Sequence, residues 1–282
     1  MRKVIATDLD GTLFYPRKKI KMISKKNVEF LQKFIKSGGK VVIVSGRNLP
    51  YAFKVMEKIG YPLDVIGCNS AFIRANEQLI QTLYLPYPHI QDVLLELQEK
   101  FKCNYYMLMS EDESLVIAGK KLNWFKSIFY KMIYKAQGVY AEKYVISNDI
   151  FFNEMKKGKV YKMMLFFGLG KKAKERACRA NKYIREMYPE IEASWTGNFI
   201  ELTAKKATKA EGLKTYCEYM KINADDVIVV GDSGNDISMF MAFKNSYCMS
   251  HAPDKIKKYA NNELKTVADL EEIVFEKENN NE

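Results

Sequence analysis

Histidine is nearly missing from this chain. His89 and His251 are the only two in 282 residues, so a serine–histidine triad or a multi-histidine metal site has few parts to draw on. Cysteine is sparse as well: Cys68, Cys103, Cys178, Cys217 and Cys248 stand at long spacings with no C-x-x-C pair, which argues against zinc or dithiol chemistry and points to reduced thiols. No stretch approaches the ~18 uninterrupted apolar residues of a membrane span. The basic start, Met1-Arg2-Lys3, runs into an acidic cluster by Asp8 with no apolar h-region between, unlike a signal peptide. A soluble, cytoplasmic chain without a membrane partner is the expectation. Internal repeats, low-complexity segments and DNA- or RNA-binding motifs are also absent.

What is there is lysine. The net charge is +11, carried in short runs such as Arg17-Lys18-Lys19, Lys156-Lys157 and Lys171-Lys172, and such runs read first as solvated surface and then as steering for anionic substrates. A nucleic-acid partner is not expected. Hydrophobic residues at 48% and charged residues at 28% are ordinary for a globular protein with a sizeable core, and the length predicts two domains. Disorder is confined to the tail, Glu276 to Glu282.

Lys3 to Thr7 reads as a buried strand emptying into Asp8-Leu9-Asp10-Gly11. A helix follows over Ser24 to Ser37, with Ser24 as N-cap and Gly38-Gly39 as its stop. Val41 to Val44 suits a parallel strand buried on both faces and ends in Ser45-Gly46-Arg47. A helix over about Pro50 to Ile59 and a strand over Leu63 to Ile66, leading to Asn69-Ser70, continue the alternation. The pattern resumes after Ala204, with a helix from Thr208 to about Met220, a strand over Val227 to Val230 running into Gly231-Asp232-Ser233-Gly234-Asn235-Asp236, and a further strand around Tyr247 to Met249 followed by helices. This rhythm predicts an α/β fold with a Rossmann-like parallel-sheet core. In such sheets ligands gather at the carboxyl ends of the strands. Between the halves, Tyr105 to Met109, Leu115 to Ala118, Tyr161 to Phe167 and Glu192 to Trp195 read as an antiparallel sheet among amphipathic helices. Trp124, Phe125, Ile128, Phe129, Met132 and Ile133 recur at helical spacing there and read as core packing. The expected division is a core of residues 1–82 and 201–282 with an inserted α+β domain of residues 83–200, entered through a hairpin of Phe72 to Arg74 with Leu79 to Thr82.

Asp8-Leu9-Asp10-Gly11-Thr12 is the informative segment. Two carboxylates two residues apart at a strand end are not explained by packing, because buried unpaired carboxylates seek neutralisation or a cation. A carboxylate from Asp8, the backbone carbonyl of Asp10, a carboxylate from Asp232, phosphate and waters would make an octahedral oxygen site of the kind Mg²⁺ takes. Ser45 after the second strand, Lys209 opening a helix, and the G-D-x-x-N-D stretch after Val230 complete a set of four polar elements in a specific order.

On these residues the chain resembles the haloacid dehalogenase superfamily phosphatases, and the position of the insert between Ser45 and Lys209 resembles the Cof-like type IIB group with its larger C2B-like cap. The resemblance covers nearly the whole length through its core motifs, while the cap has almost no signature. It implies that Asp8 is a nucleophile, that Asp10 is the general acid and then base, and that Lys209 supplies positive charge. It further implies that Ser45, with the nearby Gly46 amide, and Asn235 contact the phosphoryl group, and that Asp8, Asp10 and Asp232 hold Mg²⁺. Asp236 orients its neighbours or holds a metal-bound water. The implied reaction is hydrolysis of small phosphorylated metabolites through an aspartyl-phosphate. A phosphomutase with the same aspartate pair and a non-catalytic regulatory protein are the alternatives.

Several positions carry two readings. Thr12 serves the site or only fixes the turn after Gly11. Ser45 binds phosphate or caps the next helix, Arg47 grips substrate or covers the surface, and Asn69 lies near the site or is a turn residue. Lys205 and Lys206 compete with Lys209, and His89 reads as structural. Met249-Ser250-His251-Ala252 departs from the family pattern, which carries Asn late in the core, so the role of His251 stays open.

Overall fold

A computed structural model describes residues 3–17, 22–87, 89–103, 105–119, 135 and 140–275. The apolar stripe from Trp124 to Ile133, the Lys18-Lys19 pair and the tail from Glu276 lie outside the described residues. The chain divides into two compact units, Met1–Gln81 with Thr208–Glu282, and Thr82–Ala207. Among the described residues no helix is long and apolar enough to cross a membrane.

The first unit opens with β1 (Val4–Thr7), α1 (Lys25–Lys36), β2 (Lys40–Val44), α2 (Leu49–Ile59), β3 (Asp64–Gly67), β4 (Phe72–Ala75) and β5 (Gln78–Thr82). β1 and the Val41–Val44 run are buried throughout, as strands covered on both faces must be. The Ser24 hydroxyl accepts the Asn27 N–H at 3.2 Å to start α1. Asn76 and Glu77, both at positive φ, make the two-residue β4–β5 turn whose twist suits a hairpin.

The inserted unit contains α3 (His89–Phe101), β6 (Tyr105–Ser110), β7 (Val116–Gly119), β8 (Val145–Ile146), α4 (Asn148–Lys156), β9 (Val160–Phe166), α5 (Lys171–Met187), β10 (Ile191–Thr196) and β11 (Phe199–Ala204). Its sheet runs β10-β11-β9-β6-β7-β8. Leu97, Phe151, Leu165, Ala177 and Ile184 meet in a core between the helices and one face of that sheet. The sheet is antiparallel except that β8 joins β7 in parallel, a departure from the expected all-antiparallel arrangement. A parallel pair needs a long connection, and β7 ends at Gly119 while β8 begins at Val145. β11 pairs with both β10 and β9, so the expected division at residue 201 falls inside a strand of this sheet.

The chain then completes the first unit with α6 (Lys209–Met220), β12 (Val227–Gly231), α7 (Ile237–Ala242), β13 (Asn245–Met249), α8 (Asp254–Lys257), β14 (Asn262–Leu264) and α9 (Leu270–Phe275). The eight-stranded order is β14-β13-β12-β1-β2-β3-β4-β5, parallel from β14 to β3. The short edge strand β14 was not anticipated. From β1 the chain winds outward through β2 and β3, and later outward through β12 and β13 on the other side. The reversal between β1 and β12 is a topological switch point, where open α/β sheets bind ligands. Thr7 lies opposite Val230 in the register, so Asp8 and the Gly231-Asp232 turn emerge side by side.

Candidate active site

Asp8 leaves β1 with its backbone N–H donating to Val230 O at 3.0 Å, and its carboxyl is buried. Lys209 is the first residue of α6, which Thr208 caps by accepting the Glu211 N–H at 3.3 Å. The Lys209 ammonium, with no exposed surface, donates to Asp8 Oδ1 at 2.7 Å and Asp236 Oδ1 at 2.6 Å. Lys205 and Lys206 are exposed, whereas Lys209 is the one of the three placed against these carboxylates. Asp236 Oδ2 accepts the backbone N–H groups of Asp232 and Ser233 at 3.0 and 2.9 Å and the Ser233 hydroxyl at 3.1 Å. Asp236 is thereby saturated and orders the loop around it.

Thr12 donates its hydroxyl to Asp232 Oδ1 at 3.0 Å, so it reaches into the site rather than only fixing the turn. Gly11 sits at φ +80, and a Cβ there would meet Asp232 Oδ2 at 2.2 Å. Glycine is what lets the first loop close against the aspartate.

One oxygen each from Asp8, Asp232 and Asp236 lie within 4.8 Å of one another. Three carboxylates against the Lys209 ammonium leave two negative charges in a largely buried place. Burial pushes the Asp8 carboxyl up to about 7; Lys209 opposes the rise, and the charges of Asp236 and Asp232 add to it. Asp232 is raised too, by burial and then by Asp236. Burial disfavours the Lys209 ammonium, yet attraction to Asp236 and Asp8 outweighs it and holds its pKa above the ordinary value. The cluster is short of positive charge and presents only oxygen donors, which fits a hard divalent cation. With Asp236 saturated, Asp8 and Asp232 are the carboxylates with capacity to hold it.

The Asp10 carboxylate is not in that group. Arg47 grips it with a fork, Nε to Oδ2 at 2.6 Å and Nη2 to Oδ1 at 2.7 Å, and the guanidinium lies 4.2 Å from the centre of the Tyr51 ring. Arg47 therefore does more than cover the surface. Ser45 is buried at the end of β2, and its hydroxyl accepts the Arg47 N–H at 3.2 Å across Gly46. Asn48, not Ser45, caps α2, accepting the Leu49 N–H at 2.8 Å.

Asn69 donates its backbone N–H to Ser45 O at 3.0 Å and accepts from Asn235 Nδ2 at 3.2 Å, so the turn after β3 joins the site. Cys68, Asn69 and Ser70 are all at positive φ, a costly run for residues with side chains. A Cβ on Gly212 of α6 would lie 2.3 Å from Ser70 Cβ. Sequence reasoning missed Gly212 and Tyr51; a glycine inside a helical pattern was the available signal for the first, and nothing marked the second. His251 stacks on Tyr15 with ring centroids 3.9 Å apart. His89 lies in the inserted unit with Nδ1 2.7 Å from Glu190 Oε1, a surface contact within that unit.

A family model described as haloacid dehalogenase-like hydrolase matches residues 5–273. Phosphatase YwpJ of Bacillus subtilis is 26% identical over 274 residues, covering 92% of this chain and 93% of its own. A phosphoglycolate phosphatase of Staphylothermus marinus is 26% identical over 262 residues, covering 92% and 90%. Among solved structures, the HAD subclass IIB sugar phosphatase BT4131 superposes with a TM-score of 0.73 at 22% identity, covering 99% of both chains.

Proposed function

The chain belongs to the haloacid dehalogenase-like hydrolases as one of their phosphatases, and from that premise we propose that it hydrolyses small phosphorylated metabolites through a phosphoaspartate on Asp8, with Mg²⁺ held by Asp8 and Asp232. The carrying observation is the buried cluster in which Lys209 bridges Asp8 and Asp236 while Asp232 stands beside them. The carbonyl of Asp10 joins the metal set in this reading. When bound, the ion neutralises the repulsion between an anionic carboxylate and an anionic phosphate.

With Oδ1 of Asp8 held by Lys209, Oδ2 attacks phosphorus. The phosphorus–oxygen bond to the leaving group breaks, and Asp10 gives that oxygen its proton. Water then attacks the phosphoaspartate, Asp10 takes the water proton, and the bond to Asp8 breaks to release inorganic phosphate. Ser45, the Gly46 amide and Asn235 hold the phosphoryl oxygens, and Lys209 balances charge as it spreads over them. Thr12 and Asp236 fix Asp232 and Lys209, and Asn69 fixes Asn235. The inserted unit is assigned the choice of leaving group, and a phosphosugar or phosphorylated acid fits the names of the relatives. A cytoplasmic location belongs to the same reading.

Phosphate release from a panel of about a hundred phosphorylated metabolites tests it. Turnover should require Mg²⁺, stop with chelator, and fall below about 1% in Asp8→Asn because the covalent route is gone. Retained turnover in Asp8→Asn sinks the covalent mechanism, and isomer formation without phosphate release would make the protein a mutase.

A further inference from the structure

α5 carries more positive charge than its place in the fold requires. Its buried face is Ala173, Ala177, Ala180 and Ile184, which seat the helix in the core of the inserted unit. The remaining positions hold seven Lys or Arg against two Glu, a net +5 in 17 residues. Lys171, Lys172, Lys174, Arg179, Lys182 and Arg185 are exposed, and among the described residues none of the six is in an ion pair. The first four residues hold three lysines and no acid, the reverse of what the positive end of the helix dipole favours. Cations three residues apart, Arg179 with Lys182 and Lys182 with Arg185, repel rather than support the helix. Charge set on one face at the helix's own expense points to a polyanion outside the chain.

An apolar corner adjoins this face. Leu169, 78% exposed, stands between Gly168 and Gly170, both at positive φ, a backbone course that glycine follows without strain. Asn198 Nδ2 donates to Gly168 O at 2.6 Å, and the Phe167 N–H donates to Asn198 O at 3.1 Å, so the turn between β10 and β11 is tied to the leucine turn. On that hairpin Trp195 is 40% exposed. Its indole N–H donates to Gly197 O at 2.6 Å, and the Lys174 ammonium lies 5.9 Å from its ring centre. A leucine and a tryptophan held beside a row of lysines are the parts of an interfacial contact. Tryptophan rests at headgroup level, leucine reaches the acyl boundary, and the cations meet anionic headgroups. A nucleic acid would use the lysines and the tryptophan but offers Leu169 no apolar medium.

We propose that this face of the inserted unit docks on an anionic lipid surface, with α5 against the headgroups and Leu169 and Trp195 entering the interface. The apolar face of α5 stays in the protein core, so the contact is peripheral and reversible. The expectation of no membrane partner rests on the lack of a spanning segment, and surface attachment needs none. The contact does not depend on the reaction proposed above.

Co-sedimentation of the full chain with vesicles of phosphatidylcholine containing about 30% phosphatidylserine, against pure phosphatidylcholine, tests it. At about 0.05 M NaCl the partition coefficient should be about tenfold or more higher on the anionic vesicles, and raising the salt to about 0.5 M should remove most of it. Lys171→Glu, Lys172→Glu and Lys174→Glu together should cost about tenfold or more. Leu169→Asp should cost about threefold or more on the same vesicles at fixed salt. All four positions are exposed and none is assigned to the reaction, so phosphate release and melting temperature should stay as in the wild type, which separates lost docking from lost fold. Wild-type binding that is absent, or equal on the two vesicles, overturns the proposal without any variant. So does binding that Leu169→Asp leaves unchanged, since the contact would then be purely ionic. Displacement from the anionic vesicles by an equal charge concentration of duplex DNA overturns it in favour of a nucleic-acid partner.

Discussion

Lys209 compensates two buried carboxylates at once, and neither Asp8 nor Asp236 has the exposure to be compensated by water. Removing one member of such a set costs far more than the set contributes. Lys209→Met should therefore destabilise the metal-free protein by about 3 kcal/mol near pH 8. The loss should shrink near pH 5, because Asp8, already pushed up to about 7 by burial, takes a proton in place of the missing cation. Urea denaturation at the two pH values checks this; equal losses at both would mean that Lys209 supplies packing rather than charge. At this scale the sequence was legible where chemistry is written in adjacent letters. Asp8-x-Asp10 and Gly231-Asp232-x-x-Asn235-Asp236 point to a cation and a phosphate before any fold is known. The Arg47 grip on Asp10 and the stacking of Tyr15 on His251 were not legible, because each joins residues from different loops through side-chain direction.

Among the elements, β1, β2 and β12 announce themselves as unbroken apolar runs because both of their faces are covered. β8 and β14 do not, since strands of two and three residues take their conformation from the partner rather than from their own propensity. The helix carrying Lys209 shows what the run of letters conceals. Gly212 sits inside α6, where alanine ordinarily adds about 1 kcal/mol of helix stability. Here the added Cβ would come within 2.3 Å of Ser70 Cβ and 2.8 Å of Ile66 Cγ2, so the turn of positive φ after β3 and the start of α6 must part. Gly212→Ala should lose about 1–3 kcal/mol by overpacking. It should also lower kcat by about tenfold or more, as small displacements of catalytic groups do, because Lys209 moves with the helix. Thermal melts and steady-state kinetics check both, and a more stable, fully active variant would show that the interface yields without moving Lys209.

Across the whole molecule two fields of opposite sign coexist: a net charge of +11 that draws anions, and a buried cluster with two uncompensated negative charges that draws a cation. The second governs how stability responds to pH. Folding raises the Asp8 pKa from 3.8 to about 7 and moves Asp232 in the same direction, burial being the first cause of each. The folded chain thus binds these protons more tightly than the unfolded chain, and stability falls wherever the unfolded state binds fewer. The Asp8 contribution is complete below about pH 4 and lost as pH rises through about 7. A divalent ion held as proposed would bind the deprotonated cluster of the folded state alone, so its stabilisation would grow over the same interval. Metal-free protein should therefore melt at progressively lower temperature between about pH 5 and 8, whereas saturating Mg²⁺ should flatten or reverse that slope. Hydrogen exchange at the β1 and β12 amides, next to the cluster, should follow the same two curves. A metal-free slope of zero would mean that Asp8 is not held above its ordinary range, and parallel slopes with and without Mg²⁺ would mean that the ion binds somewhere other than Asp8 and Asp232.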